Sequence, residues 1–132
     1  MCTNSQYELP ALTRALNLQN RAARVGFDWP DVAPVLAKIV EETAELQAEM
    51  AAANSEAMAE EMGDLLFSVV NLARHLKLDP EAVLRAGNDK FEKRFRLLER
   101  DLAAEGLVPN DLSIGKLEKI WQDVKKRETP DT

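Results

Sequence analysis

The chain has 132 residues, 45% of them hydrophobic and 30% charged, with a mass of 14.8 kDa, a net charge of −6 and a pI near 4.9. That length bounds it to one domain with enough apolar material for a core, and the acidic balance argues against a nucleic-acid or anionic-membrane partner. No apolar run approaches the ~20 residues that span a bilayer, the N-terminus lacks the pattern of a signal peptide, and lone Cys2 cannot form an internal disulfide, so the expected setting is the cytoplasm.

Good helix formers fill the spaces between breakers and aromatics are only 5%, so the chain reads as all-α, a bundle of about five helices. Residues 1–9 are polar and read as a flexible N-terminus, residues 10–127 as the domain, and residues 128–132 as a flexible tail. A first helix is expected from Ala11 to Val25, with Leu12, Leu16, Ala23 and Val25 as its apolar positions and Gly26 ending it. The loop GFDWPDVAP is rich in breakers; Phe27 and Trp29 are expected to pin it to the core, and Asp31 to cap the next helix.

That second helix is expected over Val32–Ala53, burying Leu36, Ile39, Val40, Thr43, Leu46 and Met50, with Lys38, Glu42, Glu45 and Glu49 on another face. Ser55 is the expected cap of a third helix, Glu56–Leu76, whose LLFSVVNLA segment is apolar nearly all round and therefore expected to be buried. Asp79 and Pro80 restart the chain into a fourth helix reaching Glu105, with Leu84, Phe91, Phe95, Leu98 and Leu102 as its stripe. Gly106 ends it, and Ser113 caps a last helix over Ile114–Lys126 carrying Leu117, Ile120 and Trp121.

The second and third helices carry the chemistry. Glu42/Glu45 and Glu61/Asp64 are acidic pairs at i, i+3 spacing, with Glu41 and Glu60 beside them. Residues three apart share a helix face, so an antiparallel packing of the two helices would converge four carboxylates. All-oxygen donors without Cys or His suit a hard cation such as Mg²⁺, Mn²⁺ or Ca²⁺. The bland alternative is a solvated acidic face, but a carboxylate entering a buried helix is costly unless paired or metal-bound. Lys90 and Arg94, at i, i+4 between Phe91 and Phe95, could clamp a polyphosphate or be ordinary surface charge. Trp121 could stack on a base or anchor the core. His75 stands alone, which excludes the Glu-x-x-His pairs of a di-iron bundle.

These words together resemble a known family. E-E-x-x-E at Glu41, Glu42 and Glu45, followed after 15 residues by E-x-x-D at Glu61 to Asp64, is similar to the motif of the all-α nucleoside triphosphate pyrophosphohydrolases. GFDWPDV at 26–32, EEMGDLLFSVVNLAR at 60–74 and NDKFEKRF at 88–95 resemble the MazG proteins, most closely their C-terminal catalytic domain. The resemblance implies a Mg²⁺-dependent enzyme, with Mn²⁺ a possible substitute, that cleaves a (deoxy)nucleoside triphosphate to the monophosphate and pyrophosphate, in nucleotide-pool housecleaning. It implies Glu42, Glu45, Glu61 and Asp64 as metal ligands, with Asp64 also facing substrate. Glu41 would orient or deprotonate water, Lys38 would sit near the phosphates, Lys90 and Arg94 would hold the triphosphate, and Trp121 would contact the nucleoside. It also implies a homodimer, or dimer of dimers, with a shared four-helix core. The rival readings are a dimeric dUTPase-like or phosphoribosyl-ATP pyrophosphohydrolase, and a non-catalytic helical interaction module with a solvated acidic face.

Overall fold

The computed structural model describes residues 8–128, and among the described residues it is all-helical. The expected flexible ends fall almost wholly outside the described residues, as does Cys2. The helices are α1 (Ala11–Arg24), α2 (Val32–Ala51), α3 (Ser55–His75), α4 (Pro80–Ala103) and α5 (Ile114–Glu128), with a 3-10 turn at Pro109–Asp111. They form two compact units divided between Val83 and Leu84, inside α4.

Local chemistry sets the helix ends. Asp31 accepts from the Ala33 amide at 3.2 Å and starts α2. Asp79 accepts from the Glu81 amide at 3.0 Å at the start of α4, and Ser113 from the Lys116 amide at 3.3 Å at the start of α5. The cap of α3 is Asn54 rather than Ser55, because its amide oxygen takes the Ala57 N–H at 3.2 Å. Helices α1 to α4 all stop in the same turn, in which two amides bond back across a residue of positive φ. Gly26 and Gly106 occupy that position after α1 and α4, at φ 90° and 73°. Ala53 and Lys77 occupy it after α2 and α3, at φ 54° and 62°, where a Cβ is strained.

In the first unit α2 packs along α3, and α1 packs on α3. Thr13 on α1 donates to Glu81 at 3.2 Å, tying the start of α4 to the same unit. The buried face of α2 differs from the expected one. Val35 and Glu42 are buried, and Ile39, Leu46 and Glu49 are half-buried, in one stripe at helical spacing. Leu36, Val40, Thr43 and Met50 lie exposed on the neighbouring stripe, Val40 to 71%. Ile39 and Leu46 of the expected stripe thus turn inward, but they do so beside Glu42 and Glu49, which hydrophobic spacing does not select. Helix α3 behaves alike: Ser68 and Val70 are buried, whereas Met62, Leu66, Phe67 and Val69 are exposed. The expected burial all round is thus not met within a single chain. On α1, Gln19 is the buried residue and Val25 is exposed.

The second unit has its own core of Leu98, Leu102 and Val124, covered by Phe95, Leu107, Leu117, Ile120 and Trp121. The α4 stripe is buried only in its C-terminal half, since Leu84 and Phe91 are exposed. Phe91 nonetheless stacks on Phe95, centroids 5.8 Å apart, and meets Trp121 at 5.2 Å. Arg127 pairs with Asp101, fastening α5 to α4.

Candidate metal and phosphate site

Glu45 lies six residues before the end of α2, and Glu61 six residues after the start of α3. Arms of equal length, about 9 Å at 1.5 Å per residue, bring the two side chains level across the hairpin. Glu42 joins them from one turn up on α2. One carboxylate oxygen from each of Glu42, Glu45 and Glu61 lies within 4.8 Å of the others.

The three carboxyls sit in different surroundings. Glu42 is 3% exposed, and its Oε1 accepts from the Lys38 ammonium at 3.0 Å. That ion pair holds its carboxyl below the usual range against the opposing effect of burial, and raises Lys38 in turn. Lys38 also reaches Glu41 at 3.7 Å. Glu61 is half-buried and pushed up to about 7, first by its hydrogen bond to Glu45, then by burial and by Glu42. Without a cation the cluster therefore retains a proton near neutrality. Oε2 of both Glu42 and Glu61 is buried without a hydrogen-bond partner, the condition in which a carboxylate gains most from a cation. Three hard oxygen donors with two spare buried atoms fit Mg²⁺ or Mn²⁺.

The structure thus brings together Lys38, Glu41, Glu42, Glu45 and Glu61. Asp64, one turn beyond Glu61, is exposed and lies outside the group that closes to 4.8 Å. Lys90, Arg94 and Trp121 belong to the second unit. Lys90 is exposed on α4 and Arg94 half-buried there, while Trp121 is half-buried against that unit's core.

Residue spacing does not reveal the cavity beside the acids. It measures about 480 Å³ and lies among α1, the 26–29 loop and α3, with Gln19, Trp29, Lys38, Phe67 and Arg74 in its wall. Asp28 closes the loop over α3: its carboxylate takes the Arg74 guanidinium at 2.5 and 3.1 Å and the His75 ring at 3.0 Å. Arg74 holds Asp28 well below the usual carboxylate range, at about 2. The loop is fastened by this ionic latch and not by its aromatics, for Phe27 is 81% exposed and Trp29 49%. The signal available in the sequence was a basic pair, Arg74-His75, 46 and 47 residues from a single loop Asp.

Residues 31–96, half of the chain, match the MazG nucleotide pyrophosphohydrolase domain. Over 122 residues, 91% of this chain, it is 48% identical to the nucleoside triphosphate pyrophosphohydrolase of Escherichia coli K12, covering 46% of that protein. Over 117 residues it is 44% identical to the nucleoside triphosphate pyrophosphohydrolase/pyrophosphatase MazG of Thermotoga maritima, covering 45% of it. The chain spans about half the length of the curated relatives it matches.

Proposed function

The chain belongs to the MazG nucleotide pyrophosphohydrolase domain family, and from that premise we propose that it is a divalent-metal-dependent hydrolase of nucleoside triphosphates. It cleaves between the α- and β-phosphates, releases the monophosphate and pyrophosphate, and serves the nucleotide pool in the cytoplasm. The observation that carries this reading is the convergence of Glu42, Glu45 and Glu61 to within 4.8 Å, with Lys38 bonded to the most buried of them.

Glu42, Glu45 and Glu61 hold Mg²⁺, or Mn²⁺ in its place, with Asp64 as a further ligand and substrate contact. A dication bound there supplies Lewis-acid polarisation of the phosphoryl group and charge neutralisation. Glu41, exposed beside Lys38, orients or deprotonates the attacking water. Lys38 stands where phosphate oxygens come nearest the acids, and its ammonium is already aimed at anionic oxygen. Lys90 and Arg94 balance the charge that develops on the leaving pyrophosphate. Trp121 contacts the nucleoside. The working unit is a homodimer, or a dimer of dimers, because Leu36, Val40 and Met50 on α2 and Met62, Leu66 and Val69 on α3 form apolar stripes that a second copy would cover.

The test is to incubate the chain with each common nucleotide, with and without Mg²⁺, in ¹⁸O-labelled water. The expected products are a monophosphate carrying the label and unlabelled pyrophosphate. Label found only in pyrophosphate or orthophosphate would overturn the line of attack. Absence of any metal-dependent pyrophosphate release would favour the non-catalytic interaction module, and a panel including dUTP and phosphoribosyl-ATP separates the sister activities.

A further inference from the structure

Glu42 is buried more deeply than Glu45 or Glu61, and a buried carboxylate is costly without a counter-charge. Lys38 supplies that charge. Its ammonium bonds Glu42 Oε1 at 3.0 Å and stands 3.7 Å from Glu41 Oε1. The two contacts are unequal. The Glu41 side chain is 57% exposed, so water screens that pair, whereas the Glu42 side chain is 4% exposed. Helical spacing alone does not account for the bond to Glu42, because lysine one turn before glutamate is the weaker order of an i, i+4 pair. Burial of the carboxylate accounts for it.

The same bond stands in the way of a cation. Glu42 Oε2 is buried with no hydrogen-bond partner, and carboxylate oxygens of Glu45 and Glu61 lie within 4.8 Å of one on Glu42. A dication there would share one carboxylate with the ammonium, and two cations so close repel. Lys38 is free to swing away, for its charge rides on a long flexible stem. Its side chain is 45% exposed and forms part of the wall of the open cavity beside the acids. An anion arriving from solvent therefore meets the ammonium without any movement of the backbone.

We propose that Lys38 is a transferable counterion. It neutralises Glu42 while the acids are empty and moves to phosphate oxygen once a divalent cation occupies them. The proposal rests on the metal-site reading above and adds a coupling to it. Lys38 opposes the cation that comes alone and favours the cation that comes with phosphate, so through Lys38 each ligand strengthens the other by the same factor. A residue that only binds phosphate would not oppose the lone cation. A residue that only braces α2 would not distinguish the two situations.

The experiment is calorimetry on the full chain at pH 8, where Glu61 is mostly ionised. The probes are Mg²⁺ alone and inorganic phosphate, which chelates Mg²⁺ only weakly. Lys38→Met, uncharged and of similar reach, should bind Mg²⁺ alone at least about fivefold more tightly than wild type. Lys38→Arg, which keeps the charge, should stay within about twofold of wild type. The gain in phosphate affinity from saturating Mg²⁺ should be at least about fivefold smaller in Lys38→Met than in wild type. A second measurement uses wild type alone: brief acetylation with N-acetoxysuccinimide, with the Lys38 peptide followed by mass spectrometry. Labelling of Lys38 should quicken with Mg²⁺ alone and slow again when phosphate is added. Mg²⁺ bound equally or more weakly by Lys38→Met, or an undiminished phosphate gain, overturns the transfer and leaves the metal site standing. A Lys38 labelling rate that Mg²⁺ does not raise overturns it as well, even if Lys38→Met does not fold. Absence of Mg²⁺ binding to wild type both with and without phosphate overturns the metal site and the transfer together.

Discussion

Glu61 offers the sharpest test of the acid cluster, because its proton must leave when a cation arrives. In the metal-free chain its carboxyl is raised from 4.5 to about 7 by Glu45, burial and Glu42. A group with a pKa of about 7 is about nine-tenths protonated at pH 6 and about one-tenth protonated at pH 8, and a metal requires the deprotonated ligand. Mg²⁺ binding should therefore release about 0.9 proton at pH 6 and about 0.1 at pH 8, and affinity should rise steeply with pH below 7 and level off above it. Calorimetry in buffers of different ionisation enthalpy counts the protons directly. The same group sets the metal-free stability. Its folded pKa lies above the unfolded one, so its contribution is complete below about pH 4.5 and disappears as pH rises through about 7. The metal-free melting temperature should fall between pH 5 and 8, and Mg²⁺ should restore it at pH 8 through linkage. Glu61→Gln should flatten the metal-free profile and abolish the proton release. Proton release equal at pH 6 and pH 8, or unchanged in Glu61→Gln, would refute the assignment of Glu61 as both proton holder and ligand.

Other residues make separate outcomes measurable. Asp64→Asn should remove most of the Mg²⁺-induced rise in melting temperature and nearly all turnover; near wild-type turnover would show that the three-carboxylate group suffices. Lys90→Ala and Arg94→Ala should each lower kcat/KM by roughly 2–4 kcal/mol of transition-state stabilisation, with no rescue by added metal. Lys77→Gly and Ala53→Gly should each raise stability in urea by about 0.5–1 kcal/mol, since both residues hold positive φ that glycine adopts without strain. Asp28→Asn should lower the melting temperature above about pH 4, where the latch carboxylate is charged, and cease to matter as pH falls through about 2. Leu66→Glu, on the exposed stripe of α3, should yield a monomer by light scattering if that stripe is the dimer seam.

Much of this architecture is written in short-range chemistry. Asp31, Asp79 and Ser113 cap the helices that they announce, and Gly26 and Gly106 end theirs, because caps depend on a few neighbouring atoms. The acids are legible for the same reason: i, i+3 spacing fixes a helix face whatever that face meets. Which face of α2 turns inward is not legible, because the inward stripe holds Glu42 and Glu49 beside Val35, Ile39 and Leu46, whereas the exposed one holds Leu36, Val40 and Met50, which hydrophobic spacing favours. Gln19 carries no signal as a buried residue on α1, since its partner, the Phe67 carbonyl, lies 48 residues away. Phe27 and Trp29 pass for core anchors in the sequence because an aromatic in a loop looks the same whether it is pinned or left open.

The equal arms of the α2–α3 hairpin make sequence length itself a structural variable. Each residue added to a helix turns the residues beyond it by about 100° and shifts them about 1.5 Å. One extra residue between Glu45 and Ala51, or between Ser55 and Glu61, would swing one carboxylate away from the other while leaving every side chain in the cluster present. The 104–113 connection faces no such rule. Insertions and deletions should therefore be tolerated there and purged from residues 46–60, so that the spacing of the acids, as much as their identity, is what drift cannot alter.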